Sequence, residues 1–298
     1  MYSAIAANKR KSLLIMAVFV GFVAAIAFVS GRLVGGRSFA PFAIAAALVY
    51  TLISYYASSK LSLAMNGAHE VTKKEEPRLY RIVENLAITE GLPTPKVYVI
   101  EDPAPNACAT GRDPEHAIVC ATRGLLDMMT DSELEGVMAH ELGHVKNYDI
   151  RVSMVAFAMV SVIGIMSDLI LRMWFWGGLR DGDDDSGSGN ANAIFMVVGI
   201  IAIILSPIIA MLIQFAISRQ REYLADATGA LTTRYPEGLM SALEKLKNNS
   251  TTLRRQNSST AHLFFANPLK GKSLSNLFST HPPLDERIKR LSTIGKRG

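Results

Sequence analysis

The stretch MAHELGHVKN, residues 138–147, contains the pattern H-E-x-x-H in His140, Glu141 and His144. Residues four apart lie on one face of a helix, so the two imidazoles can offer ring nitrogens to a single metal ion. Glu141 would lie beside that ion, where its carboxylate can accept a proton from an attacking water. The pattern therefore predicts a catalytic zinc site. The alternative is a helix whose histidines hold no metal.

A catalytic zinc site of this kind needs a third protein ligand. The candidate lies in SRQREYLAD, residues 218–226, a polar run compatible with a helix, in which Glu222 and Asp226 are four apart. We expect Glu222 to be the third ligand, and Asp226 to orient a ligand imidazole through a hydrogen bond. An E-x-x-x-D pair by itself is also common on solvated helical faces.

Around these motifs the sequence predicts short strands and amphipathic helices. TDSE, residues 130–133, has the composition of a capping box and predicts that the motif helix begins near Asp131. Apolar periodicity and starting prolines predict further helices, and short β-rich runs predict strands. The predicted helices are Glu76–Glu90, Pro236–Lys247 and Pro283–Leu291, the predicted strands are Lys96–Ile100 and Ala117–Ala121, and Pro103–Gly111 is predicted to be extended.

Three motifs, HELGH, SRQREYLAD and then STHPPLDERI at residues 279–288, resemble those of the HtpX-type membrane metalloproteases. These are gluzincins, related to the CAAX prenyl proteases and more distantly to thermolysin, and the resemblance extends over essentially the whole chain. It implies an α+β gluzincin-like zinc protease domain with four transmembrane α-helices in two hairpins. It also implies one Zn²⁺ per chain, bound by His140, His144 and Glu222.

The resemblance further implies a substrate-binding strand and an oxyanion donor. In gluzincins an edge strand beside the active-site helix pairs with the substrate backbone, and Asn106–Thr110 corresponds to it, with an ordinary sheet edge as the equal alternative. The tetrahedral oxyanion needs a donor besides zinc. His281, in the HPP run, is the first candidate and Tyr223 the second, while His281 can also be a structural turn residue.

The composition indicates a membrane protein. Hydrophobic residues make up 49% of the 298 residues, and the mean hydropathy of +0.22 is high for a soluble protein. Ser12–Gly31 and Ser38–Ser59 are uncharged runs of 20 and 22 residues, each long enough to cross a bilayer. A signal peptide would have a shorter apolar core and no second span directly after it. We therefore predict a transmembrane hairpin over residues 12–59.

A second hairpin is predicted over residues 152–218, where apolar runs flank an acidic, Gly/Ser-rich loop. Two crossings return the chain to its starting side, so residues 60–151 and 219–298 can form one cytosolic protease domain with this hairpin as an insertion. The polar spacer between His144 and the span is short. A helix that continued through it would place the zinc just beneath the cytosolic headgroups.

Basic residues predict the orientation of both hairpins. The positive-inside rule places the side richer in Lys and Arg in the cytosol, which here holds both termini and the active site. With the resemblance, this implies a multi-pass protein of the bacterial inner membrane. The flanking residues are Lys9, Arg10, Lys11, Lys60, Lys146, Arg151, Arg219 and Arg221, whereas the loops hold only Arg32, Arg37 and Arg180.

The net charge indicates which partners the chain can bind, and the two cysteines bear on its redox state. The net charge of +5 is modest and no nucleic-acid motif accompanies it, so we expect the basic residues to face a lipid bilayer and not nucleic acid. Cys108 and Cys120 belong to no C-x-x-C and flank a turn signal, so they can face each other across a hairpin. In the cytosol they would stay reduced.

The leading functional interpretation is a membrane-anchored zinc endopeptidase. By resemblance, it cleaves misfolded or damaged membrane proteins at the cytosolic face, as quality control under stress. The alternatives are a processing protease for specific membrane or prenylated substrates, an intramembrane protease, and a transporter or membrane scaffold with an incidental motif. Polar residues around H-E-x-x-H argue against intramembrane proteolysis, and largely uncharged spans argue against a transporter. Nothing in the sequence specifies an oligomeric state.

Overall fold

The structure is a computed structural model that describes residues 2–33, 39–159, 219–249, 251–255, 260, 263–266 and 282–295. The chain divides into two compact units. The first consists of Met1–Arg10, Ser59–Met154 and Gln214–Gly298 and contains both metal-binding motifs; the second consists of Lys11–Ser58 and Val155–Ile213. His281 and most of the predicted second hairpin, 152–218, lie outside the described residues.

A four-stranded mixed sheet lies in the first unit. Its strands are β1 (Ala68–Glu70), β2 (Lys96–Ile100), β3 (Ala107–Thr110) and β4 (Ile118–Thr122), in the spatial order β1-β2-β4-β3. β2 and β4 are parallel, whereas the other two pairs are antiparallel. The two predicted strands are confirmed to within one residue. β1 was not predicted, because three residues carry too little alternation to identify a strand.

The described residues form nine α-helices. In chain order they are α1 (Tyr2–Leu33), α2 (Phe39–Met65), α3 (Pro77–Glu90), α4 (Arg123–Met128), α5 (Asp131–Lys146), α6 (149–159), α7 (Arg219–Thr233), α8 (Pro236–Asn248) and α9 (Leu284–Gly295). The four helices predicted around the motifs are confirmed as α3, α5, α8 and α9, with small shifts at their ends. Within the described part of the chain, no helix combines the length and the hydropathy of a membrane span.

The helix that carries H-E-x-x-H, α5, is the central helix of the first unit. Its capping box is present: the Glu133 amide donates to the Thr130 hydroxyl, and the Thr130 amide donates to the Glu133 carboxylate at 2.7 Å. α5 packs against α3, β3, α7 and α8, and eleven of its 16 residues are buried. A helix covered on nearly all sides also buries its polar residues, and His140 and Glu141 are among them.

Small residues let α5 and α7 approach closely at the motif. A Cβ added to Gly229 would lie 3.0 Å from the backbone nitrogen of His140, and one added to Gly143 would lie 3.4 Å from the Cα of Ala225. Larger side chains at either glycine would push the two backbones apart. The close crossing therefore holds the first turn of α7, with Glu222, against the histidine face of α5.

A turn separates α5 from α6. Asn147 and Tyr148 are not helical, Tyr148 has a φ of 60°, and the next helix starts at residue 149. One possibility at the level of the sequence was a single helix running from H-E-x-x-H towards the predicted span; the turn shows that this is wrong. The change of direction also brings Asp149 back towards the end of α5.

The two cysteines face each other in the β3–β4 hairpin, as predicted. Cys108 and Cys120 are directly opposite in the antiparallel register, with their Cα atoms 5.0 Å apart, and they form a disulfide. That separation lies within the range that a disulfide can bridge. The structure thus differs from the expectation that both thiols are reduced, because the strand register places the two cysteines directly opposite each other.

Candidate metal centre

His140, His144 and Glu222 converge on one point. The two histidines project from α5, and Glu222 comes from the first turn of α7. The histidine Nε2 atoms are 3.1 Å apart, and the Glu222 carboxylate oxygens lie 3.4 Å from Nε2 of His144 and 3.7 Å from Nε2 of His140. Ligand atoms around a tetrahedral zinc are about 3.3 Å apart when the bonds are about 2.0–2.1 Å long. The three donor atoms therefore have the spacing of a zinc site.

Both imidazoles are held by carboxylates at their outer nitrogens. Asp226 Oδ1 lies 2.9 Å from Nδ1 of His140, and Asp149 Oδ2 lies 3.0 Å from Nδ1 of His144. An ionised carboxylate can only accept, so each Nδ1 carries the hydrogen, and in its neutral form each imidazole presents the Nε2 lone pair to the shared point. Lone pairs and a carboxylate facing one another repel unless a cation lies between them. The donor set therefore fits a divalent metal ion.

Asp149 is a residue that the sequence analysis missed. It follows the Asn147–Tyr148 turn, and the turn brings its carboxylate to His144. Neither helical periodicity nor a motif places a residue beyond a turn next to a residue before it. Only the three-dimensional path of the chain could have identified it.

Arg287 is a second site residue that was missed. Its side chain comes from α9 and is fully buried, and it donates from Nε and Nη2 to both carboxylate oxygens of Asp226, at 2.9 and 2.6 Å. Its Nη1 lies 4.0 Å from Glu222. A signal was present in the sequence, because Leu284 and Leu291 place Arg287 on the apolar stripe of α9. A charge on such a stripe indicates a buried ion pair.

Burial and neighbouring charges explain the protonation states around Asp226. Burial would raise the pKa of Asp226, but the charge of Arg287 and the hydrogen bond with His140 outweigh it and hold the pKa at about 2. Burial and then Arg287 lower the pKa of His140 to about 4. Asp226 is therefore ionised and His140 neutral at pH 7, and a neutral imidazole is the form that binds a metal.

Glu141 shares the cavity of the three candidate ligands but is not one of them. The cavity is lined by His140, Glu141, His144 and Glu222 among others, and Glu141 is 2% exposed. Burial raises its pKa to about 7. For His144, burial lowers the pKa, but the charges of Glu222 and Asp149 outweigh it and raise the pKa to about 9. A dication held by the same atoms would favour the neutral imidazole instead.

The predicted substrate edge is paired with another part of the chain. Residues 263–266 lie along β3, where Phe265 donates to the Ala107 carbonyl at 2.8 Å. The Asn106 carboxamide donates to the Ala266 carbonyl at 2.8 Å and accepts from the Ala266 amide at 3.0 Å. A substrate strand could use this edge of β3 only if residues 263–266 moved away, so the role of Asn106 in substrate binding stays a prediction.

The two oxyanion candidates have different outcomes. His281 lies outside the described residues, and its role stays a prediction. Tyr223 is described, and the guanidinium carbon of Arg290 lies 3.6 Å from the centroid of its ring. Tyr223 thus stacks against α9, which gives the residue a packing role between α7 and α9.

Comparison with known proteins identifies the family. The model of peptidase family M48 matches residues 73–294, which include H-E-x-x-H, Glu222 and Asp226. The chain belongs to peptidase family M48. It is therefore a metallopeptidase, and the interpretation as a transporter or scaffold with an incidental motif is wrong.

Relatives within the M48 family match along the whole chain. A protein named "Protease HtpX homolog" from Tropheryma whipplei (strain Twist) is 52% identical over 297 residues, covering 100% of this chain and 99% of the relative. A protein of the same name from Dictyoglomus thermophilum is 46% identical over 301 residues, covering 99% of this chain and 95% of the relative. The resemblance to HtpX-type proteases is confirmed.

A solved structure shares the fold of this M48 peptidase. The crystal structure of S. mikatae Ste24p superposes with a TM-score of 0.51, at 21% identity, covering 96% of this chain and 66% of that chain. This likeness supports the fold alone. With the match to the M48 family, it confirms the α+β protease part of the predicted fold class, whereas the four transmembrane helices stay a prediction.

Proposed function

We propose that this M48 metallopeptidase is a zinc-dependent endopeptidase that holds one Zn²⁺ through His140, His144 and Glu222. The observation that supports this most directly is the convergence of three ligand atoms, all within 4.8 Å of one another, at buried or half-buried side chains. The outer nitrogens of both histidines are already occupied by aspartates, which leaves the inner nitrogens for the metal.

Each residue of the site would have a distinct role in peptide hydrolysis. Zinc, when bound, supplies Lewis acidity that polarises the scissile carbonyl and activates water. Glu141 would accept a proton from the attacking water and return it to the leaving amine. Asp226 and Asp149 would keep both imidazoles in one tautomer and orientation. His281 is the proposed additional donor to the oxyanion.

We also propose that the peptidase is anchored in the bacterial inner membrane with its active site in the cytosol. The supporting features are the uncharged runs within 12–59, the apolar runs within 152–218 and the distribution of Lys and Arg around them. The proposed domain organisation is a protease domain of residues 60–151 and 219–298. Its proposed substrates are misfolded or damaged membrane proteins and peptides. We expect it to contact the lipid bilayer and to bind no nucleic acid.

The test of the zinc chemistry uses the purified full chain in detergent, with unfolded casein as the probe substrate. We expect one zinc per chain, loss of cleavage with a strong chelator, and recovery when Zn²⁺ is returned. Glu237→Gln, a change in an exposed acid of α8, is the matched control and should leave both readings unchanged. Full cleavage by zinc-free protein would contradict the proposal.

A further inference from the structure

We propose that Asn8, near the start of α1, is a positioning residue of the metal centre that acts on His144 through Asp149. The Asn8 side chain is buried, with 4% of its surface exposed. Its Nδ2 donates to Oδ1 of Asp149 at 2.8 Å and to the backbone carbonyl of Asn147 at 2.8 Å. Asn8 lies outside residues 73–294, the part of the chain that the M48 family model matches.

The hydrogen bonds form a continuous chain from Asn8 to the candidate ligand. One oxygen of Asp149 accepts from Asn8 and, at 3.4 Å, from Nη1 of Arg221, while the other oxygen is 3.0 Å from Nδ1 of His144. A carboxylate fixed at one oxygen presents the other in a defined direction. The hydrogen bond from Asn8 is the shorter of the two that this oxygen accepts. Without the Asn8 side chain, the buried oxygen would keep only the longer bond from Arg221, and the Asp149 carboxylate would be freer to rotate.

The same side chain also stabilises the end of the metal-binding helix. The carbonyl of Asn147 follows the last turn of α5 and is among the acceptors that a helix cannot satisfy internally. A carboxamide has two N–H donors and no charge, which suits two buried acceptors of which one is already negative. Aspartate in place of Asn8 would set two carboxylates against each other, and alanine would supply no donor.

Lys9 provides a matched control for this role. Its Nζ lies 4.3 Å from the centroid of the Tyr148 ring, so it contacts the same turn from the adjacent position of α1. A residue that merely attaches the start of α1 to the turn should behave like Lys9. A residue that positions His144 should differ from it in its effect on metal binding.

The experiment measures zinc affinity by chelator competition, and the visible spectrum of the Co²⁺-substituted protein, for the full chain in detergent. We expect Asn8→Ala to weaken zinc binding about 10-fold, the lower end of the range for residues that support a ligand, and to alter the Co²⁺ spectrum. Lys9→Ala should change neither. Asn8→Ser keeps one hydrogen-bond donor on a shorter side chain, so its zinc affinity should lie between those of Asn8→Ala and the parent. This milder variant also guards against the case in which Asn8→Ala fails to fold.

A double substitution tests whether the effect passes through Asp149. In a chain that carries Asp149→Ala, adding Asn8→Ala should weaken zinc binding much less than it does in the parent, because the link to His144 is already broken and only the bond to the Asn147 carbonyl remains to be lost. Equal zinc affinity in Asn8→Ala and parent, equal losses in Asn8→Ala and Lys9→Ala, or additive losses with Asp149→Ala would each overturn the proposal.

The inference rests on the proposed zinc function. Zinc binding and casein cleavage by the parent protein distinguish failure of the inference from failure of that function. A parent that binds no zinc would overturn both. A parent that binds zinc but cleaves no casein would contradict the proposed peptidase activity while the zinc affinities still decide the role of Asn8.

Discussion

Glu141 and Glu222 are buried acids on the two helices that meet at the metal centre, and their positions give them different roles. A Glu222 carboxylate oxygen lies 3.4 Å from Nε2 of His144, whereas Glu141 lines the cavity next to the three candidate ligands. We predict that Glu141→Gln retains zinc but lowers kcat at least about 100-fold, because an amide cannot accept the water proton. Zinc content and casein cleavage check this. Normal turnover would exclude Glu141 as the base.

The candidate ligand and its supporting carboxylates should differ in their effect on metal affinity. We predict that Glu222→Ala nearly abolishes zinc binding, because two histidines leave the site short of a ligand. Asp226→Asn and Asp149→Asn should each weaken it by roughly 10–100-fold, since they disturb only the orientation of an imidazole. Competition with a chelator gives all three affinities. If Glu222→Ala binds zinc like the parent, the third ligand is another residue.

Residues within one helix were the part of the site that the sequence could predict. The spacing of His140 and His144 fixes their common face, and the E-x-x-x-D pair fixes that of Glu222 and Asp226. Asp149 and Arg287 join the site through a turn and through the packing of α9, which helical periodicity does not describe. The sequence therefore predicted which residues share a helix face, but it could not predict the contacts that depend on tertiary structure.

At the scale of elements, Glu133 joins the start of α5 to α8. Its carboxylate accepts from Lys245 at 2.6 Å, from Ser241 at 2.6 Å and from the Thr130 amide at 2.7 Å. Burial would raise the pKa of Glu133, but the hydrogen bonds from Lys245, Ser241 and Thr130 outweigh it and lower the pKa to about 2. The carboxylate is thus ionised in the folded chain at acidities that would protonate it in the unfolded chain.

Stability should therefore depend on Glu133 in a defined pH window. The folded pKa lies below the ordinary value of 4.5, so the contribution is complete above pH 4.5 and is lost as the pH falls towards about 2. A shift of this size corresponds to at most about 3 kcal/mol. We predict that Glu133→Gln lowers the urea midpoint at pH 7 and makes no difference near pH 2. Glu135→Gln, on the same helix, is the control, and an equal effect of both would contradict the prediction.

The elements themselves were predictable where local signals were strong. The capping box located the start of α5, a starting proline located α8, and apolar periodicity located α3. The strand-like pairing of residues 263–266 with β3 was not predictable, because a polar loop precedes this segment and its partner lies far away in sequence. Such pairing depends on the whole fold and not on the local pattern.

At the scale of the whole molecule, the proposed topology makes a prediction about both termini. Lys and Arg concentrate on one side of both proposed hairpins, and four aspartates lie in the loop of the second. We predict that reporter fusions at Lys74, at Asp184 and at the C-terminus report inside, outside and inside. A C-terminus on the outside would imply an odd number of crossings, and would place α5 and α7 on opposite sides of the membrane in conflict with their contact.

The proposed topology also predicts where substrates are cut. Only a few residues separate His144 from residue 152, where the second proposed hairpin begins, so the proposed span holds the metal centre on a short tether. A site tethered so closely should favour loops and tails near the bilayer and segments released from damaged membrane proteins.

We therefore predict that cleavage falls as the target segment moves away from the membrane. A model substrate with one cleavable cytosolic segment, separated from its own span by rigid helical spacers of increasing length, measures this directly. The rate should drop once the spacer exceeds the reach of the site, because the segment then spends little time at the depth of the metal centre. The control is the same segment with its spacer but without its span, assayed in detergent, and it should be cut at one rate for every spacer length. Cleavage that does not change with spacer length in membranes would contradict membrane-proximal selection and leave the zinc chemistry unaffected.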